Sequence, residues 1–260
     1  MNSMPFVALL ILIIPVILIV YIIKTYGKRL DFFEYMLLSV GSVLLSILFC
    51  LELYKWIKGG SVFDVMWSSI RQVFLESIIN EDQLLAMYHE WGLFQNFTTA
   101  EQLVDFMIRQ LKIMLPAGIL IFSLIYGAVL FFIIRLIMKN LNVSIPIVPA
   151  FEDWFLPRRI AASLILLPLT FLVISMLGIA NVEAAQFAVT ILLYFVYSVL
   201  GLSVLSFFLK AGRVPSVLRW LLLILAYILF GFFLTLLGIL DQFLYLRIRY
   251  KNKFRTVNGG

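Results

Sequence analysis

Few residues in this chain could do chemistry, and their spacing limits what that chemistry is. The one histidine, His89, stands beside Glu90 with no second ligand at helical spacing, which is too little to hold a metal and reads as an exposed structural pair. The one cysteine, Cys50, excludes an internal disulfide and a cysteine-built metal site, and its apolar neighbours make it a small buried hydrophobe. Asn96-Phe97-Thr98 matches a glycosylation sequon, a triplet common by chance. The long apolar segments carry no Asp, Glu, Lys, Arg or His in their middles, while Glu52 and Arg135 sit near segment ends, within reach of an interface. A proton relay, an ion pore or an acidic-dyad protease is therefore not expected. Nothing in the segments could activate a nucleophile, and there is no Gly-Lys-Ser/Thr phosphate loop. The chain reads as a non-enzyme with no catalytic residue, no metal and no cofactor.

What remains is mild polarity at helical spacing. In the apolar segment 187–209, Thr190, Tyr194, Tyr197 and Gly201 share one side of a helix, and in the segment 220–240, Tyr227, Gly231, Thr235 and Gly238 repeat the pattern. Ser39, Ser46 and Cys50 do the same in a third segment, and Ser123 and Gly127 form a small-xxx-small pair beside Tyr126. Small and hydroxyl residues so spaced mediate close helix packing. The alternative is a cavity in which Tyr194, Tyr197 and Tyr227 face an uncharged, partly aromatic ligand.

The elements that position these residues are membrane helices. Of 260 residues, 63% are hydrophobic and 13% charged, against roughly a quarter charged in soluble domains, and the mean hydropathy is +1.08. Each span needs roughly 20 apolar residues to cross about 30 Å of hydrocarbon. Six segments qualify, at about 5–23, 35–54, 113–138, 160–180, 187–209 and 220–240, with Pro15 and Pro168 as kinks. The expected fold class is all-α, one polytopic bundle over residues 1–260 in the cell membrane. The formal charge of +6 is scattered between segments rather than gathered in a stripe, which suits anionic lipid and not nucleic acid.

The one large hydrophilic insert, about 55–112, carries two amphipathic patterns. Phe63, Met66, Trp67, Ile70, Val73, Phe74 and Ile78 line one helical face, and Thr98 with Glu101 has capping-box spacing before a second helix. Both helices are expected to lie on the outer surface or over the bundle as a lid.

Residues 146–159, PIVPAFEDWFLPRR, interrupt the apolar pattern between the third and fourth segments. Pro146, Pro149 and Pro157 end helices on both sides. Phe151, Trp154 and Phe155 suit the headgroup layer, and Arg158 and Arg159 suit lipid phosphate. The loop reads as a rigid interfacial element or as a docking elbow for a cytoplasmic or membrane partner.

The positive-inside rule makes the loops bearing Lys24, Lys28 and Arg29, then Lys139, Arg158 and Arg159, then Lys210, Arg213 and Arg219 cytoplasmic, with the cation-free loop 181–186 outside. One feature conflicts: six crossings from an outside N-terminus put the basic tail, about 241–260, outside as well. Either the last segment does not fully cross, a span is miscounted, or the tail breaks the rule.

Leu115-Pro116, the pattern Pro149, Phe151, Trp154, Leu156 and Pro157, the pair Gly201-Leu202, and the ending with Gly238, Asp241, Phe243 and Arg247 together resemble the YybS-like family of uncharacterised, largely Gram-positive bacterial membrane proteins. The resemblance implies a distant relation to the substrate-binding components of energy-coupling-factor transporters. Those components carry an Ala-x-x-x-Ala pair in their first helix; here the first span has only Ala8, and the pair is Ala184 and Ala188. The function expected is a solute-binding transport component needing a partner for energy; the alternative is a membrane scaffold or regulatory protein.

Overall fold

The computed structural model describes residues 4–26, 30–77, 86, 89–90, 96–140, 147–178 and 182–257. Lys28, Arg29, Ile78, Pro146 and Asn181 lie outside them. Among the described residues all regular structure is helical: α1 (Met4–Tyr26), α2 (Phe32–Lys58), α3 (Val62–Ser77), α4 (Ala100–Asn140), a single 3-10 turn (Phe151–Asp153), α5 (Arg158–Met176), α6 (Glu183–Ala211), α7 (Ser216–Leu244) and α8 (Leu246–Val257). Six of these, α1, α2, α4, α5, α6 and α7, are long and apolar enough to cross a membrane. The fold class is the one expected, a helical multi-pass protein.

Local chemistry sets the helix starts. Asp31 and Glu34 open α2 with a reciprocal box: Glu34 N donates to Asp31 Oδ1 at 2.8 Å and Asp31 N to Glu34 Oε2 at 2.9 Å. At α4 the expected box is shifted by one residue. The helix begins at Ala100, so Thr99 is the cap; its Oγ1 accepts from Gln102 N at 3.3 Å, and Gln102 Oε1 accepts from Thr98 N at 3.0 Å. Glu101 is thereby free to pair with Arg71. The second amphipathic helix and the third span, expected as separate pieces, are one helix of 41 residues with Pro116 inside it.

The chain packs as two compact units, Met1–Ile22 with Leu38–Ile134, and Ile23–Leu37 with Arg135–Gly260. In the first, Ser39, Ser42, Ser46, Val43 and Cys50 form a buried stripe on α2. Ser42 and Ser46 donate back to the carbonyls of Leu38 and Ser42, which satisfies hydroxyls that have no water to turn to. Gly127 of α4 lies so close to α2 that an added methyl would stand 2.8 Å from Val40 Cα.

In the second unit α6 and α7 share backbone contact at glycines. A methyl on Gly201 would run into the Leu234 carbonyl, and one on Gly238 into the Tyr197 carbonyl. These pairings have a direction. Tyr194 meets Gly231 and Thr235, Tyr197 meets Gly238, and Phe207 meets Tyr250 of α8, so this part of α7, with α8 after it, runs parallel to α6. Its beginning must run the other way, because it follows the short turn after Ala211. Arg219 Nη1 is 3.9 Å from Glu152 Oε1, and the Glu152 carbonyl also receives Arg247 Nη1 at 2.6 Å. In a straight helix Arg219 and Asp241 would be about 33 Å apart.

The chain therefore doubles back within α7, at Phe230, the one residue there with non-helical backbone (φ −129°, ψ 28°). Each arm is roughly 21 Å long, short of the roughly 30 Å hydrocarbon core. Both ends of the sixth apolar segment thus lie on one side of this unit, the arrangement expected of a segment that does not fully cross. The tail boundary moves too, since α7 continues to Leu244 and holds Asp241 and Gln242 buried.

Gly201→Ala and Gly238→Ala are expected to destabilise by about 1–3 kcal/mol or more, while Gly41→Ala, with nothing within 4 Å of the new methyl, is expected to be neutral or to gain up to about 1 kcal/mol. Unfolding in mixed detergent micelles measures the difference; equal effects at all three positions would contradict the contact.

Candidate functional site

The loop 147–157 is held from above and below by polar side chains. Arg247, with a side chain 8% exposed against 2% for Asp241, commits four of its five guanidinium hydrogens to hydrogen bonds. Nε donates to Asp241 Oδ2 at 2.9 Å, and Nη2 lies 2.8 Å from the same oxygen while donating to the Trp154 carbonyl at 2.7 Å. Nη1 donates to the Glu152 carbonyl and to Ser203 Oγ at 2.8 Å, and Ser203 passes its own hydrogen to the Phe151 carbonyl at 2.6 Å. The Arg247 amide donates to Asp241 Oδ1 at 3.0 Å. Tyr245, in left-handed conformation (φ 54°, ψ 44°), ends α7 and turns the chain so that Arg247 points back over Asp241.

Gln242 adds a second clamp, its Nε2 donating to the Leu156 carbonyl at 2.6 Å and its Oε1 accepting from Leu156 N at 3.3 Å. Glu152 receives Lys210 with Arg219 behind it, and Lys251 reaches Asp153 at 2.9 Å. The Lys210 ammonium bonded to it, aided by a backbone hydrogen bond and last by the charge of Arg219, holds the Glu152 carboxyl below its usual range despite its partial burial.

The residues foreseen as a docking loop are largely taken up by this clasp. Trp154 Nε1 donates to the Pro149 carbonyl at 3.3 Å, and its ring packs on Phe32, Phe33 and Phe151. Phe151 stacks on Trp220 and Phe155 on Tyr245. Pro157 caps α5. Arg158 bonds the Tyr245 hydroxyl at 2.5 Å, and Arg159 is exposed.

Of the residues foreseen as ligand-facing or packing, five come together. Tyr194, Tyr197, Gly201, Gly231 and Thr235 meet where α6 and the second arm of α7 touch, with Thr235 Oγ1 directed to the carbonyls of Gly231 and Tyr194. Tyr197 is fully buried and donates to the Ala161 carbonyl of α5 at 2.9 Å. Thr190 is exposed and bonds its own helix at Gln186, and Tyr227, 39% exposed, lies on the first arm. Sequence reasoning missed Ser203 and Gln242, used Asp241 only in the resemblance, and used Arg247 there and as one of the cations of the basic tail. The available signal was an acid and an amide closing an apolar segment, with a cation six residues on.

The first unit has a different feature, a cleft of about 480 Å³ lined by Trp67, Ser68, Arg71, Asp105, Ile108, Arg109 and Lys112. Arg71 of α3 bridges Glu101 at 2.5 Å and Asp105 at 3.0 Å on α4, which ties the two helices together. Its guanidinium is stabilised in the charged form by those hydrogen bonds, first to Asp105 and then to Glu101. Lys112 Nζ sits 5.9 Å over the Trp67 ring. His89 and Glu90 are both exposed.

Six helices long and apolar enough to cross a membrane define a multi-pass membrane protein. Residues 2–242 match the family DUF2232, described as a predicted membrane protein, and the chain belongs to that family. No curated protein and no solved structure matches the chain.

Arg247→Ala should cost about 3–5 kcal/mol, because it strands a buried carboxylate. The double variant with Asp241→Ala should lose clearly less than the sum of the two singles. A double-mutant cycle followed by unfolding checks this, and additive losses would contradict the pairing. The depressed Glu152 carboxyl contributes stability above the unfolded carboxyl pKa of about 4.3, and that contribution is lost as the pH falls through the lower folded value. Thermal unfolding between pH 6 and pH 3 should accordingly show a steeper acid loss in the wild type than in Glu152→Gln.

Proposed function

We propose that this protein is a non-enzymatic solute-binding component of a membrane transport system, one that draws its energy from a partner subunit. The observation that carries the reading is the cleft between α3 and α4. Its volume of about 480 Å³ falls in the 300–1,000 Å³ range of small-molecule sites. Its walls come from the amphipathic insert, under which the sequence suggests a solute site. Five of the hydroxyl and small residues of α6 and α7 are spent on helix contacts, so recognition falls to the first unit.

The reading agrees with the relation to energy-coupling-factor binding components that the YybS-like resemblance implies, with one departure. Ala188 of the Ala184–Ala188 pair is 3% exposed, so a coupling partner would need another surface. By the positive-inside rule the clasp face, with Arg158, Lys210, Arg213, Arg219 and Arg249, is the cytoplasmic side of a bacterial plasma membrane. A scaffold role is the second reading; it is favoured by the exposed cations Arg159, Arg213 and Arg249 around a loop too rigid to be a mere linker.

Thermal unfolding of the detergent-purified protein against a panel of vitamins and metabolites separates the two. A binding solute is expected to raise the transition temperature in the wild type and to lose that effect in Trp67→Ala. The transport reading fails if every solute is inert and a stoichiometric partner co-purifies that Arg159→Glu with Arg213→Glu releases.

A further inference from the structure

Resting on that reading of the cleft, we infer that the cleft takes a phosphate-bearing anion through Arg109 and Lys112. Three cations and one carboxylate line it, and they are not equivalent. Arg71 is matched by Glu101 and Asp105 and serves as framework. Among the described residues, no carboxylate lies within ion-pair distance of Arg109 or Lys112. The two stand three residues apart on one face of α4, and both are exposed toward the cleft they line.

A neutral solute would leave both charges uncompensated. A phosphate monoester carries a charge of about −1.5 to −2 and three acceptor oxygens, which suits two adjacent cations with spare hydrogens. Asp105, already held by Arg71, stands at the cleft wall and disfavours a ligand crowded with further acids.

Depth narrows the source. Lys112 is the last charged residue before the uninterrupted apolar run of α4 that begins at Ile113, and Trp67 beside it is an aromatic of the kind that marks the headgroup layer. The phosphate comes from a lipid headgroup or from a soluble phosphate ester that reaches the same level; the chemistry of recognition is shared.

The test uses the full chain in two preparations. Glycerol 3-phosphate is titrated calorimetrically into protein in phosphatidylcholine nanodiscs, and phosphatidylglycerol retention is measured from mixed phosphatidylglycerol–phosphatidylcholine discs. At least one probe is expected to bind the wild type, about tenfold or more weakly in Arg109→Gln and in Lys112→Gln. Binding should fall with added salt and stay unchanged in Arg213→Gln. Since both positions are exposed, the variants should fold, and an unaltered melting transition verifies it. Binding of neither probe, or equal binding in wild type and variants, overturns the inference. A neutral solute that binds wild type and Lys112→Gln alike overturns it while leaving the solute-binding reading standing. Retention of phosphatidylglycerol lost in the variants, with every soluble compound inert, supports it and overturns the transport reading.

Discussion

A guanidinium taken out of water must find an acceptor for each of its hydrogens and an opposite charge for itself. Arg247 finds its opposite charge and acceptors for four of its five hydrogens in groups from three separate places in the chain. Asp241 supplies the charge from the end of α7, Ser203 an oxygen from α6, and Glu152 and Trp154 their carbonyls from the loop 147–157. Satisfying one side chain therefore fixes where those three segments meet. The loop benefits in turn, because its proline-rich, irregular backbone has few partners of its own near a membrane, where an unpaired carbonyl costs several kcal/mol. Gln242 does the same for Leu156 on both its amide and its carbonyl.

The reversal of α7 at Phe230 is the geometric consequence. Arg247 can reach the loop only if the chain returns to the face from which the helix set out, and Arg219 near the start of the same helix already touches Glu152 there. The returning arm packs tightly enough for this because Gly201 and Gly238 let two backbones meet without side chains between them. The middles of the spanning helices contain no Asp, Glu, Lys, Arg or His, and the ion pair lies one turn from the end of its segment, where its cost is lower than at mid-depth. The first unit uses charge differently: Arg71 braces α3 against α4 and leaves Arg109 and Lys112 facing an open cleft.

Much of this architecture was legible in the residues, and the illegible parts have identifiable causes. Apolar runs of spanning length announce themselves through composition alone. Thr98-Thr99 followed by Glu101-Gln102 offers two overlapping capping boxes, and only the true first residue of α4 decides between them. The change from polar to apolar at Lys112–Ile113 looks like an element boundary, yet a helix backbone is indifferent to that change, and Pro116 leaves one carbonyl unpaired close to the interface, where it can be hydrated. The reversal carried no sequence signal at Phe230 itself, which is neither glycine nor proline. Its trace was indirect, in a basic tail that six straight crossings would put on the side opposite the other basic loops. Arg247 was indistinguishable in the sequence from the other tail cations, because burial of one arginine among several is decided by tertiary contact with Asp241.

The most direct measurement is the sidedness of the tail. Single cysteines at Arg213→Cys and Lys253→Cys, each in a Cys50→Ala background, are exposed to a membrane-impermeant maleimide in spheroplasts and in inverted vesicles. A chain that doubles back within α7 labels at both positions from the same side. Labelling of the two positions from opposite sides would mean that the last helix crosses the membrane, and the Arg247 clasp could not then form.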